Sequence, residues 1–200
     1  MIKNIIFDIG GVLVRHDPKD ILDKMDIPKE RKEHLLELFK TDRFFSDVDL
    51  GLYEGMLKAL PSFQERHPET KDDLQAFFDL GFLDSYTPLL KGQQLLKRFH
   101  EEGYHIYLLS NFSKDGIEIL KKRFDFFSYV DGELISYRVR VIKPDVRIYR
   151  LLLEKFDLMA EECLFLDDRI DNVEASKKLG FQAIVFDEKT IDCRLKEYLD

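Results

Sequence analysis

The sequence predicts an α/β fold, a parallel sheet with helices on both faces. Short apolar runs stand at residues 5–7, 104–109 and 163–166, and each is followed by polar residues: Asp8, Ser110 with Asn111, and Asp167 with Asp168. Helix-like amphipathic stretches separate these runs, and strand alternating with helix means parallel strands joined by crossovers.

The first run, Ile5-Ile6-Phe7, reads as a buried strand that delivers Asp8 to its carboxyl end. A carboxylate directly after buried apolar residues is costly unless it is paired, hydrogen-bonded or bound to a metal. Gly10 and Gly11 follow at once, permitting unusual backbone angles and close approach of a ligand to the main chain. Asp8 is therefore a site residue or the cap of a following helix.

Residues 15–84 change character. They are charged and helix-like, with apolar positions at Ile21, Leu22 and Met25, then Leu35, Leu38 and Phe39, and then Leu57, Leu60, Leu74 and Phe77. Pro28, Gly51, Pro61 and Pro68 divide the segment into roughly four helices. A crossover needs only about 10 to 12 residues. This insert predicts a helical domain at 15–84, set into a core made of 1–14 and 85–200.

From residue 85 the rhythm is regular. Thr87 and Pro88 read as the start of a helix closed by Gly103. After the strand at 104–109, Ser113 is placed to cap a helix to about Phe124, and residues 127–130 read as a short strand. Pro144 reads as the start of a helix with an apolar face at Ile148, Leu151, Leu152 and Phe156. Beyond the strand at 163–166, a helix stopped by Gly180 leads to a last strand at 183–186.

The 200 residues are 44% hydrophobic, enough for one core and at most a second small domain. The net charge of −8 argues against a nucleic-acid surface, and Lys121-Lys122-Arg123 reads as the solvated end of a helix. The first residues lack a signal-peptide pattern, and no apolar run approaches membrane-spanning length. Cys163 and Cys193 form no framework and have no metal-type spacing, which predicts reduced thiols in a cytoplasmic protein.

In open parallel sheets, ligands bind outside the carboxyl ends of the strands. Three polar strand ends converge there if their strands are neighbours. Carboxylates from separate strands suit Mg2+, a hard cation that also takes waters and substrate phosphate. Asp8 and Asp168 are the candidate metal ligands. Lys143 would add fixed positive charge and Ser110 a hydroxyl, making a phosphate site. A carboxylate beside Mg2+ is also a competent nucleophile.

Four segments, Phe7-Asp8-Ile9-Gly10-Gly11-Val12, Leu108-Leu109-Ser110-Asn111, Lys143-Pro144-Asp145 and Phe165-Leu166-Asp167-Asp168 through Asn172, occur in that order. Together they resemble the four motifs of the haloacid dehalogenase (HAD) superfamily. The resemblance implies a Rossmann-like core with strand order 5-4-1-2-3 and the Asp8 strand at its centre. It implies Asp8 as nucleophile and Mg2+ ligand, with the Gly10 carbonyl and Asp168 as further ligands. Ser110 and Lys143 would hold the phosphoryl group with Asn111 beside them, and Asp167 and Asn172 would support the metal shell. The insert occupies the position of the family's type C1 cap, and residues 49–54 resemble a turn of such caps.

The implied activity is Mg2+-dependent hydrolysis of a small phosphorylated metabolite, a sugar phosphate first of all, through an aspartyl phosphate. A monomer or homodimer is expected. Two features depart from the family pattern. Gly10 stands where most family phosphatases carry a second aspartate that moves protons, a mark shared with the glucose-1-phosphate phosphatase-like group. Arg140 stands where glycine is common, so it alters the loop or touches substrate. His16 or Asp17 is a candidate replacement proton source, and Arg15, Arg43 and Tyr53 are candidate substrate contacts. Gly10 also motivates a non-catalytic phosphate-binding or interaction protein as an alternative. A 2-haloacid dehalogenase is a further alternative, disfavoured because that reaction needs no metal and so no Asp168 or Asn172. A phosphomutase is disfavoured because it needs the acid-base group that Gly10 lacks.

Overall fold

The computed structural model describes residues 1–199. Five strands form one parallel sheet: β1 (Asn4–Phe7), β2 (His105–Ser110), β3 (Gly132–Ile135), β4 (Cys163–Asp167) and β5 (Gln182–Val185). Their spatial order, β3-β2-β1-β4-β5, is 5-4-1-2-3 read from the other edge. Strands β1 and β4 are buried along their whole length. This explains why they read as continuous apolar runs with no polar alternation.

Side chains alternate across the sheet and build two cores. Ile5 and Phe7 face α5 (Leu90–Glu101), α6 (Lys114–Arg123) and α9 (Ile191–Leu199), where Leu96, Phe99, Leu120 and Ile191 complete one cluster. Ile6 faces α7 (Val146–Phe156) and α8 (Ile170–Lys177), where Ile148, Tyr149, Leu152 and Val173 complete the other. The remaining helices, α1 (Lys29–Thr41), α2 (Phe44–Asp49), α3 (Met56–Arg66) and α4 (Lys71–Asp79), lie between β1 and β2 in the chain. They share a third cluster rich in phenylalanine, with Phe39, Phe44, Phe63, Phe77, Phe78 and Phe82 all buried. Phe44 and Phe63 stack at 4.6 Å between ring centroids.

Four local readings of the sequence are corrected. Thr87–Pro88 does not open a helix; it pairs antiparallel with Val14–Arg15 where the chain leaves and re-enters the sheet domain's neighbourhood, and α5 begins at Leu90. Proline disfavours helical backbone at the residue before it and fits a ribbon edge, so the same dipeptide signals either element. Residues 127–130 are not a strand: Asp125–Tyr129 is a 3-10 turn whose Phe126 is buried in the core, and the strand starts at Gly132. Pro144 sits in a turn, and α7 begins at Val146 behind an Asp145 side chain that accepts from the Arg147 N–H. Pro61 lies inside α3 and does not end it. The carbonyl its ring leaves unpaired belongs to the exposed Leu57, where water can reach it.

Candidate active site

The sheet register decides which side chains meet. Phe7 pairs with Leu108 on one side and Leu166 on the other. Asp8, Ser110 and Asp167 therefore all emerge at the carboxyl ends of three adjacent strands. The Asp8 carboxylate accepts from the Ser110 hydroxyl at 2.6 Å and from the Ile9 N–H at 2.7 Å, both at Oδ1. Its Oδ2 lies 2.9 Å from the Lys143 ammonium.

Lys143 is buried at 3% exposure and serves two carboxylates at once, since its Nζ also donates to Asp167 Oδ2 at 2.6 Å and to the Leu109 carbonyl at 3.0 Å. Asn111 fixes this loop from β2: its side chain donates to the Lys143 carbonyl at 2.9 Å and accepts from the Lys143 N–H at 2.7 Å. Asp167 is fully buried and fully engaged, accepting from Lys143, from the Arg169 N–H and twice from the Asn172 amide. It positions other groups and has no lone pairs to spare for a ligand.

Asp8, Asp167 and Asp168 each place an oxygen within 4.8 Å of the others. Three carboxylates face one ammonium, an excess of negative charge. Burial, opposed by Lys143 and reinforced by Asp167, pushes the Asp8 carboxyl up to about 7. Burial also works against the charge on Lys143, but Asp8 and Asp167 outweigh it and hold the lysine above its usual range. Asp168 is raised as well, by partial burial and then by Asp167. A divalent cation would relieve this repulsion. The donor set fits a hard cation: among the described residues the Asp168 carboxylate accepts only from its own backbone N–H, and the Gly10 carbonyl takes no loop hydrogen bond. The Asn172 side-chain oxygen is buried and has no hydrogen-bond partner among the described residues.

Beside this cluster opens a cleft of 480 Å³ between the sheet and the helices of residues 15–84, walled by His16, Asp49, Phe82, Tyr86, Asn111 and Phe112. His16 is sandwiched between Phe82 and Tyr86, with ring centroids 4.0 and 3.9 Å away. Its Nε2–H donates to the Phe82 carbonyl at 2.8 Å, and burial lowers its pKa to about 4. At neutral pH it is an uncharged wall with its proton already committed, which corrects its reading as a proton source. Asp17 borders the same cleft but caps the Lys19 N–H at 2.9 Å.

Arg15 pairs with Asp20 at 2.8 Å, Arg43 with Asp47 at 3.1 Å, and the Tyr53 hydroxyl with Ser62 at 3.1 Å. None of the three lines the cleft. Arg140 is exposed and has φ +54° at the end of the single turn Ser136–Val139, so its place is set by backbone conformation. That conformation is why glycine suits this position. Asp49 is the cleft residue whose importance sequence reasoning missed; its only signal was the turn it opens. The two thiols are apart, Cys163 buried in β4 and Cys193 exposed on α9. No helix among the described residues is long and apolar enough to cross a membrane.

The chain is similar to D-ribitol-5-phosphate phosphatase of Bacteroides thetaiotaomicron, with 28% identity over 204 residues, 91% of this chain and 90% of that protein. It is 31% identical to drimenol cyclase of Aspergillus calidoustus over 96 residues, spanning 48% of this chain and 18% of the cyclase. Its fold matches a solved HAD family enzyme from B. thetaiotaomicron in complex with magnesium and inorganic phosphate, with a TM-score of 0.73 and 21% identity over 94% of this chain and 96% of that one. A family model for haloacid dehalogenase-like hydrolases matches residues 2–180. The chain belongs to the haloacid dehalogenase-like hydrolase family.

Proposed function

We propose that this protein is a Mg2+-dependent phosphomonoesterase that hydrolyses a small phosphorylated metabolite through an aspartyl phosphate on Asp8. One observation carries the reading: a buried lysine and a serine hydroxyl converge on a single strand-end carboxylate, with a free second carboxylate, Asp168, alongside. Asp8 attacks phosphorus, and the bond to the leaving oxygen breaks. Lys143 and Ser110 stabilise the charge that develops on the phosphoryl oxygens, with Asn111 holding the Lys143 loop in place. Asp8, the Gly10 carbonyl and Asp168 would hold Mg2+, and Asp167 with Asn172 would keep the surrounding groups in place. When bound there, Mg2+ would supply Lewis-acid stabilisation of the phosphoryl oxygens.

Residues 15–84 act as a cap that closes over the site and selects substrate. Their separate hydrophobic cluster supports this reading, as does the seating of their 49–55 loop: the Ser136 hydroxyl donates to the Asp49 carbonyl at 2.6 Å, and Asp115 accepts from the Met56 N–H at 2.7 Å. The cleft combines aromatic faces with Asp17, Lys19 and Asn111, which suits a ring that stacks on one face and offers hydroxyls at its edge. A sugar or polyol phosphate is the substrate class proposed, and the named activity of the ribitol-5-phosphate phosphatase relative supports it.

The test is phosphate release from a panel of sugar, polyol, alkyl and aryl phosphates, with Mg2+ or EDTA, beside Asp8→Asn. Metal-dependent release lost in the variant supports the reading. Binding of phosphorylated compounds with no release from any of them would favour a non-catalytic binding protein, the reading Gly10 motivates.

A further inference from the structure

Proton transfer to the leaving group has no provider in the loop after β1, because Gly10 has no side chain. His16 is neutral with its proton committed, and the Asp17 carboxylate caps a neighbouring N–H. A different carboxyl group lines the cleft. We infer that Asp49, delivered by the cap segment at the end of α2, is the general acid and base of this hydrolase, taking the place of the aspartate absent at Gly10.

The placement of Asp49 makes little sense as structure alone. It ends α2, where unpaired carbonyls make a negative charge unfavourable, and no hydrogen-bond donor reaches its carboxyl among the described residues. Its main chain, in contrast, is firmly held. Ser136 on the sheet side donates to its carbonyl at 2.6 Å. Gly51, at φ +69°, lets the chain pass so close to the Tyr137 carbonyl that a Cβ there would overlap it. Asp115 then caps the start of α3. An anchored backbone carrying an unpartnered carboxyl into a cleft is the arrangement of a group that awaits a ligand.

The wall of the same cleft holds a second unsatisfied group: Tyr86, 1% exposed, whose buried hydroxyl lies against Gly116 and has no hydrogen-bond partner among the described residues. The Asp49 carboxyl, half-buried in that wall, has hydrogen-bonding capacity that a substrate oxygen could satisfy.

Asp49 is half-buried in the cleft wall, and desolvation there and then the charge on Asp8 push its carboxyl up to about 7, with Lys143 opposing and Asp115 adding to the rise. The other charged groups of the cleft are Asp17, Lys19 and Lys40, with His16 neutral. A group that titrates near neutrality can both give and take a proton.

The assignment rests on the phosphatase reading above. In the first step Asp8 Oδ bonds to phosphorus, the bond to the leaving oxygen breaks, and that oxygen takes the Asp49 proton. In the second, the Asp49 carboxylate accepts a proton from the attacking water. The bond from Asp8 to phosphorus breaks, and phosphate leaves with both aspartates back in their starting states.

The experiment compares wild type with Asp49→Asn on an alkyl phosphate and on nitrophenyl phosphate, whose leaving group needs no proton. On the alkyl ester the variant is expected to lose about 10²- to 10⁴-fold in kcat/KM and the limb of the pH profile near neutrality. On the aryl ester it is expected to release a burst of one nitrophenolate per enzyme and then turn over slowly, because only the second step still needs the base. Gly10→Asp, whose Cβ position has nothing within 4 Å, is expected to restore alkyl-ester turnover in the Asp49→Asn background. Wild-type rates for Asp49→Asn on the alkyl ester, or equal losses on both esters without a burst, would overturn the inference. If the wild type itself released no phosphate, the phosphatase reading and this inference would fall together. If wild-type release depended on Asp8 but not on Asp49, only the inference would fall.

Discussion

The carboxylate of Asp168 occupies the space that a side chain on Gly11 would need, so these two residues, just beyond β1 and β4, keep their present positions because one is glycine. Gly11 also has φ +72°, a conformation that costs other residues roughly 1 to 2 kcal/mol. Gly11→Ala is expected to push Asp168 aside and raise the Mg2+ concentration needed for half-maximal phosphate release by tenfold or more, an estimate of about 1.4 kcal/mol per tenfold. Metal titrations of the activity check this. An unchanged requirement would separate Asp168 from the metal.

Among the described residues, Lys143 is the only cation in contact with two buried carboxylates. Replacing it by methionine leaves Asp8 and Asp167 facing each other without compensation, a change that costs on the order of 3 to 5 kcal/mol when one partner of a buried pair is removed. The loss should be larger at pH 8 than at pH 5, where Asp8 is protonated and the repulsion falls. Thermal melts at the two pH values test the sign. Phosphate release by the variant should drop by at least about 10²-fold, the scale of losing one donor to developing charge.

Asp49 should destabilise the metal-free protein at high pH. Its carboxyl titrates near 7 when folded and near 4 when unfolded, so between these values the folded chain binds the extra proton. Stability from this group therefore falls as pH rises from about 4 to about 7. In EDTA, Asp49→Asn is expected to melt above the wild type at pH 8 and level with it at pH 4. Equal melting points at both pH values would contradict the burial assigned to this carboxyl.

Arg140 carries a left-handed backbone on an exposed loop. Arg140→Gly should relieve that conformation and stabilise the protein by about 0.5 to 1 kcal/mol, the strain outweighing the added chain entropy. Phosphate release should stay within about twofold, because Arg140 is exposed and does not line the cleft. A large fall in turnover would show that Arg140 contacts substrate.

The parts of the molecule written into local sequence were the parts that could be read. Strands β1, β2 and β4 announce themselves because both faces are buried, and each hands over a polar residue where the core stops. Asp8, Ser110, Asp167 and Asn172 come together because adjacent parallel strands share a register, and Lys143 because Asn111 ties its loop to β2. What stayed hidden depends on contacts between distant segments. Thr87 and Pro88 look like a helix start until Val14 and Arg15 are seen to pair with them. The neutrality of His16 depends on Phe82 and Tyr86, both far along the chain. Asp49 looks like any solvated aspartate at a helix end until its loop is found seated on Ser136 and Tyr137 beside the cleft.

The most direct measurement is acid quenching of the enzyme during Mg2+-dependent turnover, followed by mass spectrometry of the peptide that carries Asp8. A hydroxylamine-sensitive phosphoryl group on Asp8, accumulating further in Asp49→Asn with nitrophenyl phosphate and absent in Asp8→Asn, is the expected result. Steady turnover with no phosphoryl group on Asp8, or full turnover by Asp8→Asn, would contradict the assignment of Asp8 as nucleophile.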